Sequence, residues 1–468
     1  MCICLFKMLG LLVFISIIYF TYSLKTVLKF GGSSIKDRLR IENVGKIILE
    51  EKNKGNEPLV VFSAIDDTTN LLLNAGKRAL NENYIDLYEL KNKHYNIIYD
   101  CMDKKTERDL NILFTEIENI LSGIYLINDF SEATKDLLVS YGERLSVRII
   151  SLYLNKFYNL NCKYFDSWDI GLQTDGKFND ANFLDSCKND VFTNVIYYHK
   201  KNYIPIITGY ICKDRDNKIN TLGRGGSDLT ATFVASCINA NEVQIWKDVN
   251  GLMTADPKKV SNAKAVPLVT YEEARELAYF GAKILHPISM QPAIKSKTPV
   301  VIKNSYNINH PGTKILSNRS NKNIVTAITS KEEIILIDII STRMLNQYGF
   351  LSKVFKIFEE FKISIDVIAT SEISISLTIN KNEYNKMLVD KLSSIACVNV
   401  KENYSIISLI SDVSKSTYVI GKIFSTLIEN DIEIDMISQG ASKNNISIIL
   451  KKQDSGNALN IIHDIFFY

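Results

Sequence analysis

The stretch TLGRGGSDLTAT, residues 221–232, constrains this chain more than any other. Gly223, Gly225 and Gly226 bracket Arg224, and residues without a Cβ let the backbone take positive φ and let a ligand approach it closely. The pattern that follows predicts a helix over 229–236, with Ser227 or Asp228 as its N-cap. A loop that turns directly into a helix aims N–H groups and the positive dipole end at one spot, a seat for an anion. Arg224 adds a planar fork matched to a carboxylate. The spacing is not the dinucleotide fingerprint, because Asp228 stands where the third glycine of GxGxxG belongs. Alone, the stretch reads equally well as an ordinary glycine turn before a helix, so its meaning depends on the rest of the chain.

Several apolar runs end in small or polar residues. Residues 26–30 (TVLKF) predict a strand that stops at Gly31-Gly32-Ser33-Ser34. Backbone N–H groups there form an anion cradle, with Lys29 supplying positive charge. The GxxxxGK[ST] spacing of a P-loop is absent. Residues 59–62 (LVVF) deliver Ser63 and lead through Thr69 into a helix over 70–80. Residues 203–207 form a further strand, and 242–246 another that delivers Lys247 and Asp248, with Lys258 soon after. Open α/β sheets bind ligands at the carboxyl ends of their strands. The plainer readings are capping hydroxyls and solvated turn charges. On a helix over 136–153, Glu143 follows Gly142 and either faces a ligand amine or is a solvated helix glutamate. A helix over 271–285 carries Gly281-Ala282-Lys283 ahead of His286-Pro287, and 300–304 make the last strand before Gly312. Alternating strands and helices predict an α/β sheet.

A length of 468 residues asks for two or three domains. The net charge is only +3, with the charges scattered, so nothing global points to nucleic acid or an anionic membrane. The eight cysteines show neither metal-ligand nor disulfide spacing and read as reduced thiols. Residues 1–23 differ: Met8 to Tyr22 is uncharged and Lys7 precedes the run. This is the pattern of a cleaved signal, and it is short for a bilayer span. An anchor or a gene-prediction artefact remains an alternative, and membrane association follows only if the segment is retained.

From about residue 326 the texture changes. Strand, helix, strand, strand and helix recur in two units of roughly 70 residues, an internal repeat with β-α-β-β order. Neither unit carries a catalytic constellation, so this third reads as regulatory or structural.

KFGGSS (29–34), SAIDDTTN (63–70), SYGERLS (140–146), TLGRGGSDLTAT, KDVNGLMTADP (247–257), GAKILHP (281–287), STRMLNQYGFLSKVFKIFE (341–359) and IDMISQGASKNNIS (434–447) together resemble the aspartate kinase family, in order and at family-like spacing. The resemblance runs from Lys25 to the C-terminus and favours the monofunctional, lysine-sensitive branch. It implies an amino-acid-kinase three-layer fold with a mainly parallel central sheet over 24–320. Two α+β ACT (ferredoxin-like) domains over 326–400 and 401–468 would follow.

The implied reaction moves the ATP γ-phosphoryl group to the side-chain carboxylate of L-aspartate, the first step toward lysine, threonine and methionine. A carboxylate is ionised at neutral pH and needs no general base, so catalysis reduces to positioning and charge neutralisation. By resemblance, Lys29 stabilises the transferring group and Asp228 orders the site. Arg224 takes a substrate carboxylate, Glu143 the α-amine, and Thr69 and Ser227 assist. Gly32, Ser33 and Ser63 lie along the phosphates, and Lys247, Asp248, Lys258 and Lys283 fall at the nucleotide. Mg²⁺ comes with ATP, and no protein ligand to it is assigned. A lysine effector maps onto Met344, Gln347, Gly349, Phe350, Leu351, Asp366, Ser371 and Glu372, although core packing is an equal reading for Phe350 and Leu351. A homodimer through the ACT domains is expected, in a plastid reached through a secretory signal or in the cytoplasm. The alternatives are another amino-acid kinase or a catalytically silent ACT sensor, and the latter predicts loss of Lys29, Arg224 or Asp228, all present here.

Overall fold

The computed structural model describes residues 24–82, 85–279, 285–319, 324–341, 348–411, 415–439 and 444–468. The segment 1–23, Lys283, Met344 and Gln347 lie outside them, and with them the expectations attached to those positions.

The chain opens with β1 (Lys25–Phe30), α1 (Arg38–Asn53), β2 (Glu57–Phe62) and four helices: α2 (Thr68–Glu82), α3 (Tyr88–Ile98), α4 (Lys104–Ile127) and α5 (Glu132–Tyr158). Then come β3 (Cys162–Phe165), α6 (Lys188–Lys200), β4 (Ile204–Thr208), the hairpin β5 (Ile211–Lys213) and β6 (Ile219–Thr221), α7 (Gly226–Ile238) and β7 (Glu242–Lys247). After β8 (Leu268–Thr270) and α8 (Tyr271–Tyr279) follow α9 (Gln291–Ser296), β9 (Val300–Asn304) and β10 (Thr313–Leu316). The last third holds β11 (Val325–Ile340), α10 (Phe350–Glu360), β12 (Val367–Thr370), β13 (Ser374–Asn380), α11 (Lys386–Ser393), β14 (Cys397–Ser411), α12 (Ser416–Glu429), β15 (Met436–Gln439), β16 (Asn445–Lys451) and α13 (Lys452–Phe467).

Two compact units result. The first runs to Asn250 and resumes over Ile288–Leu316; the second comprises Gly251–Pro287 and Ser317–Tyr468. The division therefore falls inside the stretch 24–320 expected to form one catalytic domain.

In the first unit the strand order is β3-β4-β2-β1-β7-β9-β10, parallel except where β10 runs against β9. The central runs are apolar on both faces because helices cover both faces of a parallel sheet. Phe62, Phe30 and Trp246 sit in register on adjacent strands and stack at 5.5 and 6.0 Å, part of the core that α1 to α5 close. Strand alternation turns Lys29 to the other face. Helix α4 is long and apolar enough to cross a membrane, yet Leu110, Phe114, Ile117 and Leu121 on it pack into this core.

The second unit carries one antiparallel sheet of order β12-β13-β11-β14-β16-β15. Both repeats are present with the expected element order, but they are not laid end to end. The far half of β11, from Ile334, pairs with β13 and with the start of β14, while Ala327–Lys331 pairs with the end of β14 at Ile406–Ile410. Each repeat thus borrows part of a long strand from the other, and the expected boundary at 400/401 falls inside β14. Ile335, Ile337, Val354 and Phe358 form one core, and Ile328, Ile407, Val419 and Leu459 the other. The second core also takes Ala255 and Val260 from the excursion after β7. Cys101, Cys162, Cys187, Cys212, Cys237 and Cys397 are free thiols.

Candidate active site

The carboxyl ends of β1, β2, β4 and β7 meet the start of α7 around a cavity of about 400 Å³, within the range typical of small-ligand sites. Helix α7 begins after Gly225, at φ 75° and with no side-chain cap. The expected capping role of Ser227 or Asp228 is not found. They are the second and third residues of the helix, in its first turn, and both line the cavity. Gly223 is also left-handed at φ 67°, and a Cβ there would stand 2.8 Å from the Asn179 carbonyl. The glycines are therefore required by conformation and by crowding.

Asp228 is the hub. Lys29 Nζ lies 2.6 Å from its Oδ1 and Lys247 Nζ 3.2 Å from its Oδ2, and the Asp228 side chain is only 5% exposed. Burial raises the Asp228 carboxyl, but the two ammonium groups outweigh it and hold the group below the ordinary carboxylate range. Burial lowers the Lys29 ammonium, with Asp228 opposing and Lys247 adding to the fall. Two lysines share one carboxylate, so the cluster carries a net positive charge and suits a polyanion.

Glu143 enters from α5. Gly142 lets that helix approach β2: a Cβ there would fall 2.8 Å from the Ala64 Cβ. At this range the Ala64 N–H donates to Glu143 Oε1 at 3.2 Å, while the buried Oε2 has no hydrogen-bond partner among the described residues. Burial pushes the Glu143 carboxyl up to about 8, against the Ala64 bond and the Lys29 charge. A buried, unsatisfied carboxylate oxygen beside a cavity is a receptor for a cation.

The structure brings Lys29, Gly32, Ser63, Thr69, Glu143, Ser227, Asp228 and Lys247 around the one cavity. The Ser63 hydroxyl donates to Ser227 Oγ at 3.0 Å. Arg224 is exposed at the tip of the loop, between two lining glycines but not in the lining itself. Ser33 and Asp248 are exposed and also outside the lining, and Lys258 belongs to the second unit. Asp66 and Tyr210 were not foreseen. Both line the cavity in the left-handed region, at φ 52° and 65°. Such strain in residues other than glycine gathers at functional sites, but it leaves no mark in the sequence.

In the second unit, Gly349 at φ 82° opens α10, and Phe350 packs into the core of the first repeat. Leu351 is 40% exposed. Ser371 Oγ lies 2.7 Å from Ser374 Oγ, and Glu372 is exposed. Asp366 already holds an ammonium: Lys331 Nζ donates to its Oδ1 at 2.7 Å, and the carboxylate is 3% exposed.

Comparison with known proteins agrees with this layout. The amino acid kinase family model matches residues 25–304, and an ACT domain model matches 337–388 and 407–466. The chain is 40% identical over 472 residues to the chloroplastic aspartokinase 2 of Arabidopsis thaliana, covering 95% of this chain and 84% of that protein. It is 30% identical to the aspartokinase of Saccharomyces cerevisiae, covering 93% and 92%. Aspartokinase III of E. coli, solved in complex with aspartate and ADP in its R-state, superposes with a TM-score of 0.78 at 28% identity, over 95% of this chain and all of that one. The same enzyme in complex with lysine and aspartate, in its T-state, superposes at 0.74 with 30% identity, over 95% and 99%. With the amino acid kinase family model over residues 25–304, two ACT matches behind it and relatives matched over 84% and 92% of their own length, this chain belongs to the aspartokinase family.

Proposed function

We propose that this chain transfers the γ-phosphoryl group of Mg·ATP to the side-chain carboxylate of L-aspartate, giving 4-phospho-L-aspartate and ADP. An aspartate carboxylate oxygen forms the new bond to the γ-phosphorus, and the bond from that phosphorus to the β–γ bridging oxygen breaks. No proton has to be removed from the nucleophile. The obstacle is repulsion between two anions, and the observation that carries the reading is the Lys29–Asp228–Lys247 cluster beside the buried Glu143.

In this reading Lys29 and Lys247 face the phosphates, and Asp228 holds both in place. The N–H groups at the start of α7 and around Gly32 add positive potential without charged side chains. Glu143 takes the α-ammonium, which would draw its carboxyl back to the ionised form. Thr69, Ser63 and Ser227 offer hydroxyls, and Arg224, exposed in this structure, closes on a substrate carboxylate. Ser33, Asp248, Lys258 and Lys283 are assigned to the nucleotide by resemblance. No protein ligand to the magnesium is assigned, since a hard cation of this kind keeps phosphate oxygens and water around it. The magnesium is read as arriving with the triphosphate.

The ACT sheet is read as the seat of lysine feedback and of a homodimer. The chloroplastic relatives favour a plastid location. Trapping the acyl phosphate with hydroxylamine tests the activity: aspartate plus ATP should yield the hydroxamate and glutamate should not. Equal yields from the two would overturn the substrate assignment.

A further inference from the structure

The parallel ladder between β1 and β7 ends at the pair Phe30–Trp246, one residue short of Lys247 and at the threshold of the Gly31–Ser34 turn. Past that point the sheet no longer fixes the distance between the turn and Lys247. A different element does so, the exit of β9. The Ser305 N–H donates to the Lys247 carbonyl at 2.8 Å. The Ser305 hydroxyl reaches Ser34 Oγ at 2.9 Å, and Ser34 Oγ in turn donates to the Trp246 carbonyl at 3.3 Å. Next along the chain, the Tyr306 hydroxyl donates to the Ser33 carbonyl at 2.8 Å, and the Arg40 guanidinium lies 3.7 Å from the centre of its ring. Ser34 and Ser305 are buried at 0% and 1% exposure, so water competes little for the bonds of this serine pair, whereas the Tyr306 bond to Ser33 lies at the surface. Asn304 completes the arrangement: its Oδ1 accepts from the Tyr306 N–H, and its Nδ2 donates to Asn250 Oδ1, both at 2.8 Å.

We propose that Ser305 and Tyr306 are positioning residues for phosphoryl transfer. They clip the glycine turn after β1 to the end of β7, so that the turn's N–H groups and the two lysines on Asp228 stay in one arrangement when the triphosphate enters. Neither side chain lines the cavity; they act through Ser33, Ser34 and Lys247. The proposal rests on the reading of that cavity as the phosphate site.

Tyr306→Phe keeps the ring and its contact with Arg40 and deletes only the bond to Ser33. The expected result is a KM for ATP raised about three- to tenfold, the effect of losing one hydrogen bond, with the KM for aspartate and the melting temperature unchanged. Ser305→Ala keeps the backbone N–H bond to the Lys247 carbonyl but removes the hydroxyl's contacts with Ser34 Oγ and with that carbonyl, both at 2.9 Å, so it should do the same and add a fall in kcat. A KM for ATP within twofold of the parent in both variants would overturn the proposal, as would an equal rise for the two substrates. Lys29→Met, measured alongside, separates the two failures. If Lys29→Met is inactive and Tyr306→Phe is silent, the clip alone is wrong. If Lys29→Met is fully active, the phosphate site itself has been misplaced and the clip falls with it.

Discussion

Lys29 on β1 and Asp228 on α7, almost two hundred residues apart in sequence, meet at 2.6 Å with side-chain exposures of 8% and 5%. A buried ion pair seldom adds net stability, because desolvation offsets most of the Coulomb gain. Its value here is geometric: with Lys247 as a third member it fixes an excess of positive charge at the mouth of the glycine loop.

Asp228→Asn leaves the buried Lys29 ammonium and the partly exposed Lys247 ammonium without their counter-charge. Removing one partner of such a cluster costs about 3–5 kcal/mol. The melting temperature should fall well below that of the parent and phosphoryl transfer should be lost. A variant as stable as the parent in a denaturant titration would show that Asp228 does not hold the lysines.

Glu143 gives a pH dependence with a definite sign. Its folded carboxyl, near 8, lies above the ordinary glutamate range, so between the two the folded chain keeps a proton that the unfolded chain has released. Its contribution to stability is therefore full below that window and declines as pH rises through it, by at most about 1.4 kcal/mol per pH unit. Denaturant titrations at pH 5, 6.5 and 8 should find Glu143→Gln gaining on the parent as pH rises. A constant difference would contradict the buried, proton-holding carboxyl.

Gly142→Ala places a Cβ 2.8 Å from that of Ala64. Overpacking of this kind costs about 1–3 kcal/mol, and it should raise the KM for aspartate by moving Glu143 from the Ala64 N–H. Adding Ala64→Gly removes the clash and should restore both quantities. Failure of the double variant to recover would mean that Gly142 is needed for something other than this approach.

Asp366 is proposed to receive the ammonium of an effector lysine, and Lys331 already stands on it at 2.7 Å. An internal cation competes with an external one. Lys331→Met should lower the lysine concentration that half-inhibits the enzyme, while Asp366→Ala should keep activity and lose inhibition. Unchanged dose curves for both would remove Asp366 from the effector site.

The sequence and the structure agree best where chemistry demands a rare residue type. Lys29 was legible because it precedes a glycine turn, and Glu143 because it follows a glycine on a helix. Gly223 and Gly225 were legible because a positive φ all but names its residue. Ser305, Tyr306 and Lys331 were not legible: each acts through a partner brought close by the fold, and hydroxyls and lysines are common on any surface. The exchange of strand halves between the repeats was hidden for another reason. An apolar run in β11 or β14 reads the same whichever neighbour it pairs with. The unexpected placements of Arg224 and Lys258 follow from spacing alone, which sets which loop a side chain occupies but not where it points.

If the Lys29–Asp228–Lys247 cluster is what lets two anions react, Lys29→Met is the decisive variant. Asp228 keeps Lys247 as a partner in this variant, so the fold should survive with a melting temperature close to the parent's. Hydroxamate formation from aspartate and ATP should fall by about a thousandfold or more, the scale of a lost charge-stabilising group. Product formation at the parental rate by a folded Lys29→Met chain would contradict the account.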